Sequence, residues 1–179
     1  MSSSDPTSSP EPIPADDPGR EVTIARADDP GLPHLSVVGD TYTVLVAGAD
    51  TAGRYTLIDM HVPPGGGPPA HRHDFEEMFS VLDGEIEVTF RGATRTARAG
   101  ETINVPANAP HRFRNTSGQP ARLLCLCTPP GQELFFAAIG DRVPGRTSPP
   151  PALDAAARTA RLDRARELAP RYRTELLGP

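Results

Sequence analysis

Hydrophobic and polar residues alternate in short runs through the middle of the chain, and turn residues separate these runs. In the clearest run, Ile86, Val88 and Phe90 alternate with polar residues, which predicts a strand with one buried face and one solvent-exposed face. The same pattern predicts strands at residues 41–47, 54–62, 77–82, 85–90, 94–98, 102–105, 111–115 and 121–128. Many short strands with regular turns are typical of an all-β sandwich or barrel.

Turn residues and strand parity add two predictions. Asp83-Gly84 separates two strand patterns by the two residues of a tight β-hairpin, so it predicts a hairpin there. Within the strand pattern of 54–62, Ile58 and Met60 share one face and His61 lies on the other. His61 is therefore expected on the outer face of the barrel.

The N-terminal flank has a different composition. Ser, Asp, Glu and Pro dominate residues 1–20, which have too few apolar side chains to offset the entropy cost of ordering. A disordered tail is predicted there, followed by a barrel with an N-terminal extension over 21–143. Residues 22–25 could add an edge strand, and His34 is expected to be a surface residue.

The C-terminal flank, residues 144–179, is predicted to be a linker followed by a helix. Residues 132–139 are compatible with a short helix or a strand, and proline-rich 144–151 is the linker. Ala- and Arg-rich 154–168 predicts a helix, and Pro170 is well placed to start a second helix running to Leu177.

Composition limits the classes of function. A chain of 179 residues is long enough for one domain core. The net charge of −5 argues against non-specific nucleic-acid binding, and no apolar run has membrane-spanning length. The chain begins without the basic and apolar order of a signal peptide, so a cytoplasmic location is expected. All 18 basic residues are arginine, which excludes a lysine Schiff base.

The two cysteines lie in a strand-like apolar run. Cys125 and Cys127 alternate with leucines, so they are predicted to share one buried face as small hydrophobic residues. A disulfide or an accessory metal pair is the alternative, although the spacing of two residues disfavours a disulfide. Because Leu124 and Leu126 make the other face apolar as well, that face needs a cover from the C-terminal helix or a second subunit. We predict a homodimer.

Three histidines and one glutamate stand at short intervals in strand-and-turn sequence. His71 and His73 are one residue apart, so both point to the same side of a strand. Glu77 and His111 would join them from neighbouring strands. Imidazole nitrogens with one carboxylate oxygen suit iron, manganese, nickel, copper or zinc. One divalent transition metal is therefore predicted.

These residues lie in two motifs that resemble those of the cupin superfamily. Residues 65–84 match G-x5-H-x-H-x3-E-x6-G, and residues 100–115 match G-x5-P-x-G-x2-H-x3-N, except that Asn108 replaces a glycine. Asn tolerates a left-handed backbone, so the turn at this position is expected to survive. The short spacing of the motifs is similar to that of compact, single-domain bacterial cupins of the quercetin 2,3-dioxygenase-like type. The resemblance implies a double-stranded β-helix, or jelly roll.

The resemblance leaves several functions open, because one fold hosts many reactions. A dioxygenase acting on a small hydrophobic or aromatic enolisable substrate is the leading interpretation, with Glu77 as ligand and catalytic base. A metal Lewis-acid isomerase, cyclase or lyase is the alternative, and a non-catalytic binding protein is a third possibility. The predicted substrate pocket is apolar and consists of Ile58, Met60, Phe79, Val88 and Phe113.

Overall fold

The computed structural model describes residues 12–178, most of which form short strands. The strands in chain order are β1 (His34–Val37), β2 (Asp40–Val46), β3 (Thr56–Val62), β4 (His71–His73), β5 (Glu76–Asp83), β6 (Glu85–Phe90), β7 (Ala93–Arg98), β8 (Thr102–Val105), β9 (His111–Arg114), β10 (Ala121–Thr128), β11 (Asp141–Arg142) and β12 (Thr174–Leu176). The helices are α1 (Gln132–Ile139), α2 (Ala155–Leu168) and a 3-10 turn at Ala169–Tyr172.

Two antiparallel sheets face each other and form the predicted jelly-roll barrel. One has the order β11-β1-β2-β3-β10-β5-β8, and the other has the order β12-β4-β9-β6-β7. The alternation of apolar and polar residues correctly predicted which side chains face the barrel interior, since Ile58, Met60 and Ile86 are almost fully buried. The core therefore lies between the two sheets, where inward side chains from both interdigitate.

The predicted elements largely agree with the structure. The strands at 85–90, 102–105 and 121–128 have the predicted bounds, and 132–139 is a helix. α2 begins where predicted, because the Asp154 side chain accepts a hydrogen bond from the backbone N–H of Ala157 and caps the helix.

The hairpin predicted at Asp83-Gly84 is wrong. β5 pairs with β10 and β8, whereas β6 pairs with β7 and β9 in the other sheet. Gly84 has a φ of 73° and turns the chain from one sheet to the other. A tight turn therefore occurs as predicted, but it forms a corner between the sheets.

The N-terminal expectations need two corrections, and residues 1–11 of the predicted tail lie outside the described residues. Residues 12–20 are exposed and contain no helix or strand. No strand forms at 22–25 either, and Val22 and Ile24 are exposed. His34 is buried rather than exposed. Its ring has polar partners there, because it lies 2.8 Å from the hydroxyl of Thr43 and 3.0 Å from the carbonyl oxygen of Asp29.

The second C-terminal helix, predicted from Pro170 to Leu177, is also wrong. The 3-10 turn ends at Tyr172, and Arg173 adopts a left-handed conformation with φ of 58°. β12 follows and pairs with β4. Its sequence is too short for a strand pattern to be recognised without knowledge of this pairing.

The outer face of β3 is covered by the linker after β11. Asp59 is fully buried there, with Arg122 at 2.7 Å and Arg146 at 3.6 Å from its carboxylate. His61 lies on this outer face, as predicted, and burial together with the charge of Arg146 lowers its pKa. The linker thus contributes a cation to a buried carboxylate of the barrel.

The prediction of a homodimer remains a prediction. Leu124 and Leu126 are half-buried on the outer face of β10, as the sequence pattern indicated. α2 packs against α1 and the 3-10 turn. The cytoplasmic location and the absence of nucleic-acid partners also stay predictions. Neither helix within residues 12–178 has the length and apolar character needed to cross a membrane.

Candidate metal centre

The four predicted metal ligands converge from both sheets. In β4, His71 and His73 point inward and Arg72 points to solvent, as strand alternation requires. His111 lies directly opposite His71 in the pairing of β4 with β9. Glu77 comes from β5 in the other sheet. The side-chain donor atoms of the four residues lie within 4.8 Å of one another, and all four residues are buried.

Backbone carbonyl groups fix the orientation of the three imidazole rings. Each Nδ1 lies 2.9 Å from a carbonyl oxygen two residues away; the pairs are His71 with Pro69, His73 with Phe75, and His111 with Ala109. A carbonyl oxygen accepts only, so Nδ1 carries the proton and donates it. The lone pair of a neutral ring is then on Nε2, which is the arrangement that supports metal ligation.

The Nε2 atoms of His73 and His111 each lie 3.1 Å from Oε2 of Glu77. With both Nδ1 atoms protonated, two neutral rings would point lone pairs at a carboxylate oxygen, which is repulsive unless a proton or a metal cation lies between them. Burial alone would raise the pKa of Glu77, but its hydrogen bonds with His111 and His73 lower it well below the usual range. This donor set therefore fits a cation.

The pKa values of His71 and His111 are shifted in opposite directions. Burial, together with the neighbouring His111, lowers the pKa of His71 to about 4, so His71 is neutral at pH 7. Burial opposes a charge on His111, but the hydrogen bond and the negative charge of Glu77 raise its pKa. Three imidazoles and one carboxylate suit a divalent transition metal without specifying which one.

The turn that contains Asn108 secures the ligand strand. Asn108 has a φ of 67°, so it adopts the left-handed conformation in which asparagine was expected to replace glycine. Its backbone N–H donates to the carbonyl oxygen of His73 over 2.6 Å. The second motif thereby holds the first at the candidate metal site.

Comparison with known proteins identifies this architecture. Residues 58–127 match the model of the cupin domain family, and this segment contains all four ligands. The segment that carries the four candidate ligands is therefore similar to a cupin domain. A solved structure of a predicted oxalate decarboxylase from Thermotoga maritima matches 59% of this chain and 98% of its own, with a TM-score of 0.54 and 16% identity. At that identity the likeness shows the fold alone.

Two curated relatives share more sequence with this chain. Quercetin 2,3-dioxygenase from Bacillus subtilis is 29% identical over 109 residues, which is 60% of this chain and 32% of that protein. Polyketide synthase CurC from Streptomyces cyaneus is 34% identical over 100 residues, which is 54% of this chain and 64% of that protein. The chain thus spans less than two thirds of the length of each.

The contact of both cysteines with the candidate metal centre was not predicted from the sequence. The Sγ atom of Cys125 lies 3.3 Å from Oε1 of Glu77, and that of Cys127 lies 3.8 Å from it. Both are free and buried on one face, as predicted. Burial raises the pKa of Cys125 well above its usual value, so its thiol remains protonated and donates to Glu77. The strand register, in which Cys127 lies opposite Glu77, could not be predicted from spacing.

β12 pairs with the other edge of β4, the strand that carries His71 and His73. It pairs with β4 so that Thr174 lies opposite His73 and Leu176 lies opposite His71. On the outer face, Nε of Arg72 donates to the carboxylate of Glu175 over 2.6 Å. A three-residue strand that would otherwise have a free edge is thereby paired on both sides.

A small apolar cavity of about 50 Å³ adjoins the metal centre. Of the predicted pocket residues, Met60, Phe79 and Phe113 line it together with His71 and Glu77. Ile58 and Val88 are buried in the core but do not line it; Val88 borders a separate depression together with residues of β7 and β8. The remaining lining comes mainly from α1, α2 and β12, which together form a cap over the cavity.

Two polar residues of the cavity wall were also missed. Tyr42 lines the cavity, and its hydroxyl donates to the carboxylate of Asp40 over 2.9 Å. Burial raises the pKa of Asp40 to about 7, although hydrogen bonds from Tyr42 and Gly67 favour its charged form. Gln132, the first residue of α1, also lines the cavity. In the sequence, neither Tyr42 nor Gln132 belongs to a motif.

Proposed function

We propose that this cupin is a metal-dependent dioxygenase that acts on a small, apolar, enolisable substrate. The observation that carries the proposal is the junction of a His3Glu cluster with a cavity walled by Met60, Phe79 and Phe113. An apolar wall offers no ion pair to a substrate, so an anionic oxygen of the substrate has only the metal centre to bind. A substrate with an enolate oxygen on an apolar carbon skeleton matches both the metal centre and the apolar wall.

His71, His73, Glu77 and His111 would hold the metal. The bound ion would supply a Lewis acid that lowers the energy of an enolate and brings substrate and dioxygen together. Glu77 is the one carboxylate among the described residues of the cavity wall, so we assign it the acceptance of the enol proton. The thiol of Cys125 holds the second oxygen of Glu77 and keeps Oε2 directed at the histidines.

The apolar wall has a second role, which is to exclude water. Phe79 and Phe113 contact each other edge to face, with ring centroids 5.3 Å apart, and both are almost fully buried. In dioxygenation, both atoms of dioxygen enter the substrate as a carbon–carbon bond beside the enolate breaks. The substrate supplies the electrons, so no external reductant is required.

The volume of the cavity limits the substrate. About 50 Å³ is well below the roughly 150 Å³ of an apolar cavity that admits benzene. A ring compound therefore requires outward displacement of the cap, and compact substrates are favoured. Within this cap, α2 is the element that would move, because β12 belongs to a hydrogen-bonded sheet and the first turn of α1 is hydrogen-bonded to the loop between β2 and β3.

A metal Lewis-acid cyclase, isomerase or lyase is the second candidate. It is favoured by the 34% identity to polyketide synthase CurC, which exceeds the 29% identity to quercetin 2,3-dioxygenase. Such an enzyme would use the same enolate oxygen and the same ligands without dioxygen. The two candidates therefore differ in oxygen consumption rather than in the residues of the site.

An oxygen electrode separates the candidates. Protein loaded separately with iron, manganese or nickel is mixed with β-diketones, 3-hydroxy-4-pyranones and flavonols. We expect at least one pair to consume one dioxygen per substrate and to stop under anaerobic conditions. The His73→Ala and His111→Ala variants should lose both metal and turnover, whereas His61→Ala, which alters a histidine outside the cluster, should retain both.

Each other outcome has a defined meaning. Equal turnover with and without oxygen would transfer the assignment to the Lewis-acid class. Binding without turnover would indicate a non-catalytic small-molecule binding protein. Full metal occupancy in both histidine variants would overturn the metal centre itself.

A further inference from the structure

Three buried side-chain oxygens lack a hydrogen-bond partner in the described part of the chain: Oδ1 of Asp59, Oδ2 of Asp141 and Oε1 of Gln132. The two carboxylate oxygens are nevertheless close to arginine side chains. Arg146 lies 3.6 Å from Asp59, and Arg161 forms an ion pair with Asp141. Gln132 has no such compensation, although only 3% of its surface is exposed.

The position of Gln132 connects this unpaired oxygen with the metal centre. Gln132 lines the same cavity as His71 and Glu77. The other lining residues are mostly apolar, so this carboxamide is a neutral hydrogen-bonding group within a hydrophobic wall. Burial of a polar group without a partner is unfavourable, and stability alone does not account for it.

The neighbouring Glu133 holds Gln132 in place. The carboxylate of Glu133 accepts a hydrogen bond from the backbone N–H of Gly48 over 2.9 Å and another from that of Gly131 over 2.8 Å. These contacts fix the first turn of α1 against the loop between β2 and β3. The unpaired carboxamide oxygen of Gln132 is therefore carried by a fixed backbone.

We propose that Gln132 determines specificity by hydrogen-bonding a second, neutral polar group of the substrate, separate from the oxygen that faces the metal ligands. This inference rests on the proposed function, because it names a feature of the same substrate. A carboxamide both donates and accepts, so a hydroxyl group is its best match. The substrate class is thereby narrowed to compact enolisable compounds that carry an additional hydroxyl.

A matched pair of probes tests the binding role without turnover. Kojic acid and allomaltol are hydroxypyranones with the same metal-binding oxygens, and kojic acid alone has a hydroxyl on its side arm. Zinc-loaded protein, which is redox-inert, is titrated with each probe by calorimetry. The wild-type protein should bind kojic acid about threefold to tenfold more tightly than allomaltol. Gln132→Met should lose this preference and keep its affinity for allomaltol.

Thermal unfolding tests for a purely structural role. Gln132→Met should raise the Tm by about 2–4 °C or leave it unchanged, because it removes a buried unpaired group at similar volume. Gln119→Met, the same substitution at an exposed position, is the control for the change of residue type and should leave both the Tm and the probe preference unchanged.

Equal preference for kojic acid in wild type and Gln132→Met would overturn the proposal, as would a fall in Tm of more than about 4 °C. If neither probe binds the zinc-loaded wild type, the enolisable-substrate proposal fails together with the inference that rests on it. If the protein prefers kojic acid in a way that depends on Gln132 and yet consumes no oxygen with any substrate, that result would support this inference and overturn the dioxygenase assignment.

Discussion

Asp40 is predicted to make the stability of the protein fall as the pH rises towards neutrality. Its carboxyl group is fully buried, and it accepts hydrogen bonds from the hydroxyl of Tyr42 and the backbone N–H of Gly67. Burial raises its pKa from the ordinary 3.8 to about 7. Between these values the folded protein keeps a proton that the unfolded chain has lost. The stabilisation is complete below pH 4 and is lost as the pH rises through 7.

The size of this effect follows from the pKa change. One pKa unit corresponds to about 1.4 kcal/mol, so the change at Asp40 corresponds to at most about 4 kcal/mol. Asp40→Asn has no ionisable group at this position and lacks the dependence. The free energy of unfolding of the wild type minus that of Asp40→Asn should therefore fall by up to about 4 kcal/mol between pH 4 and pH 8.

Urea unfolding of both proteins at each pH, with a chelator present, measures this difference. Titration of His71 and Glu77 contributes to both curves and cancels in the subtraction. Tyr42→Phe provides an internal check, because loss of a hydrogen bond to the charged form should move the transition to higher pH. A difference that varies by less than about 0.5 kcal/mol across the range would refute the buried, protonated carboxyl.

Three further predictions concern the surroundings of the metal ligands. Cys125→Ala should reduce metal affinity about 10- to 100-fold in a chelator competition, because Glu77 loses the thiol that holds its second oxygen. Removal of the C-terminal residues from Thr174 onwards should reduce metal occupancy at least about tenfold by elemental analysis, because the free edge of β4 is exposed. Gly67→Ala should destabilise the protein by about 3 kcal/mol or more in urea, because φ is +123° and the new Cβ would lie 2.2 Å from the carbonyl oxygen of Phe113.

Matched variants control these three experiments. Cys125→Ser replaces one donor by another and should retain more metal than Cys125→Ala. For the shortened chain, circular dichroism should show that the barrel persists. Gly92→Ala has a similar positive φ of +85° with no atom within 4 Å of the new Cβ, so it should lose about 1 kcal/mol. Equal losses at Gly67 and Gly92 would contradict the steric argument.

The convergence of the four candidate ligands could be predicted because it depends on local order. Strand parity places His71 and His73 on one face, and motif spacing adds Glu77 and His111. The parity of β3 also placed His61 correctly on the outer face. These features need only the period of two and the positions of turns, both of which are visible in the sequence.

What could not be predicted depends on pairing between distant segments. Asp83-Gly84 signals a tight turn, but it does not determine whether the following strand stays in the same sheet. The contact of Cys125 with Glu77 depends on the register of β10 against β5. The role of Gln132 could not be predicted, because it depends on the position of its side chain in the cavity wall and on the lack of a partner for its carboxamide oxygen.

The pairing of β12 with β4 has a consequence for biosynthesis. Arg72 and Glu175, which meet across this pair, are 103 residues apart in the chain. At roughly 5–20 residues per second, the ribosome adds the closing strand roughly 5–20 s after the histidine strand. During that interval β4 has an open edge that another nascent chain can occupy. The speed of translation, rather than the intrinsic folding rate of the barrel, therefore sets the shortest period of exposure to mispairing.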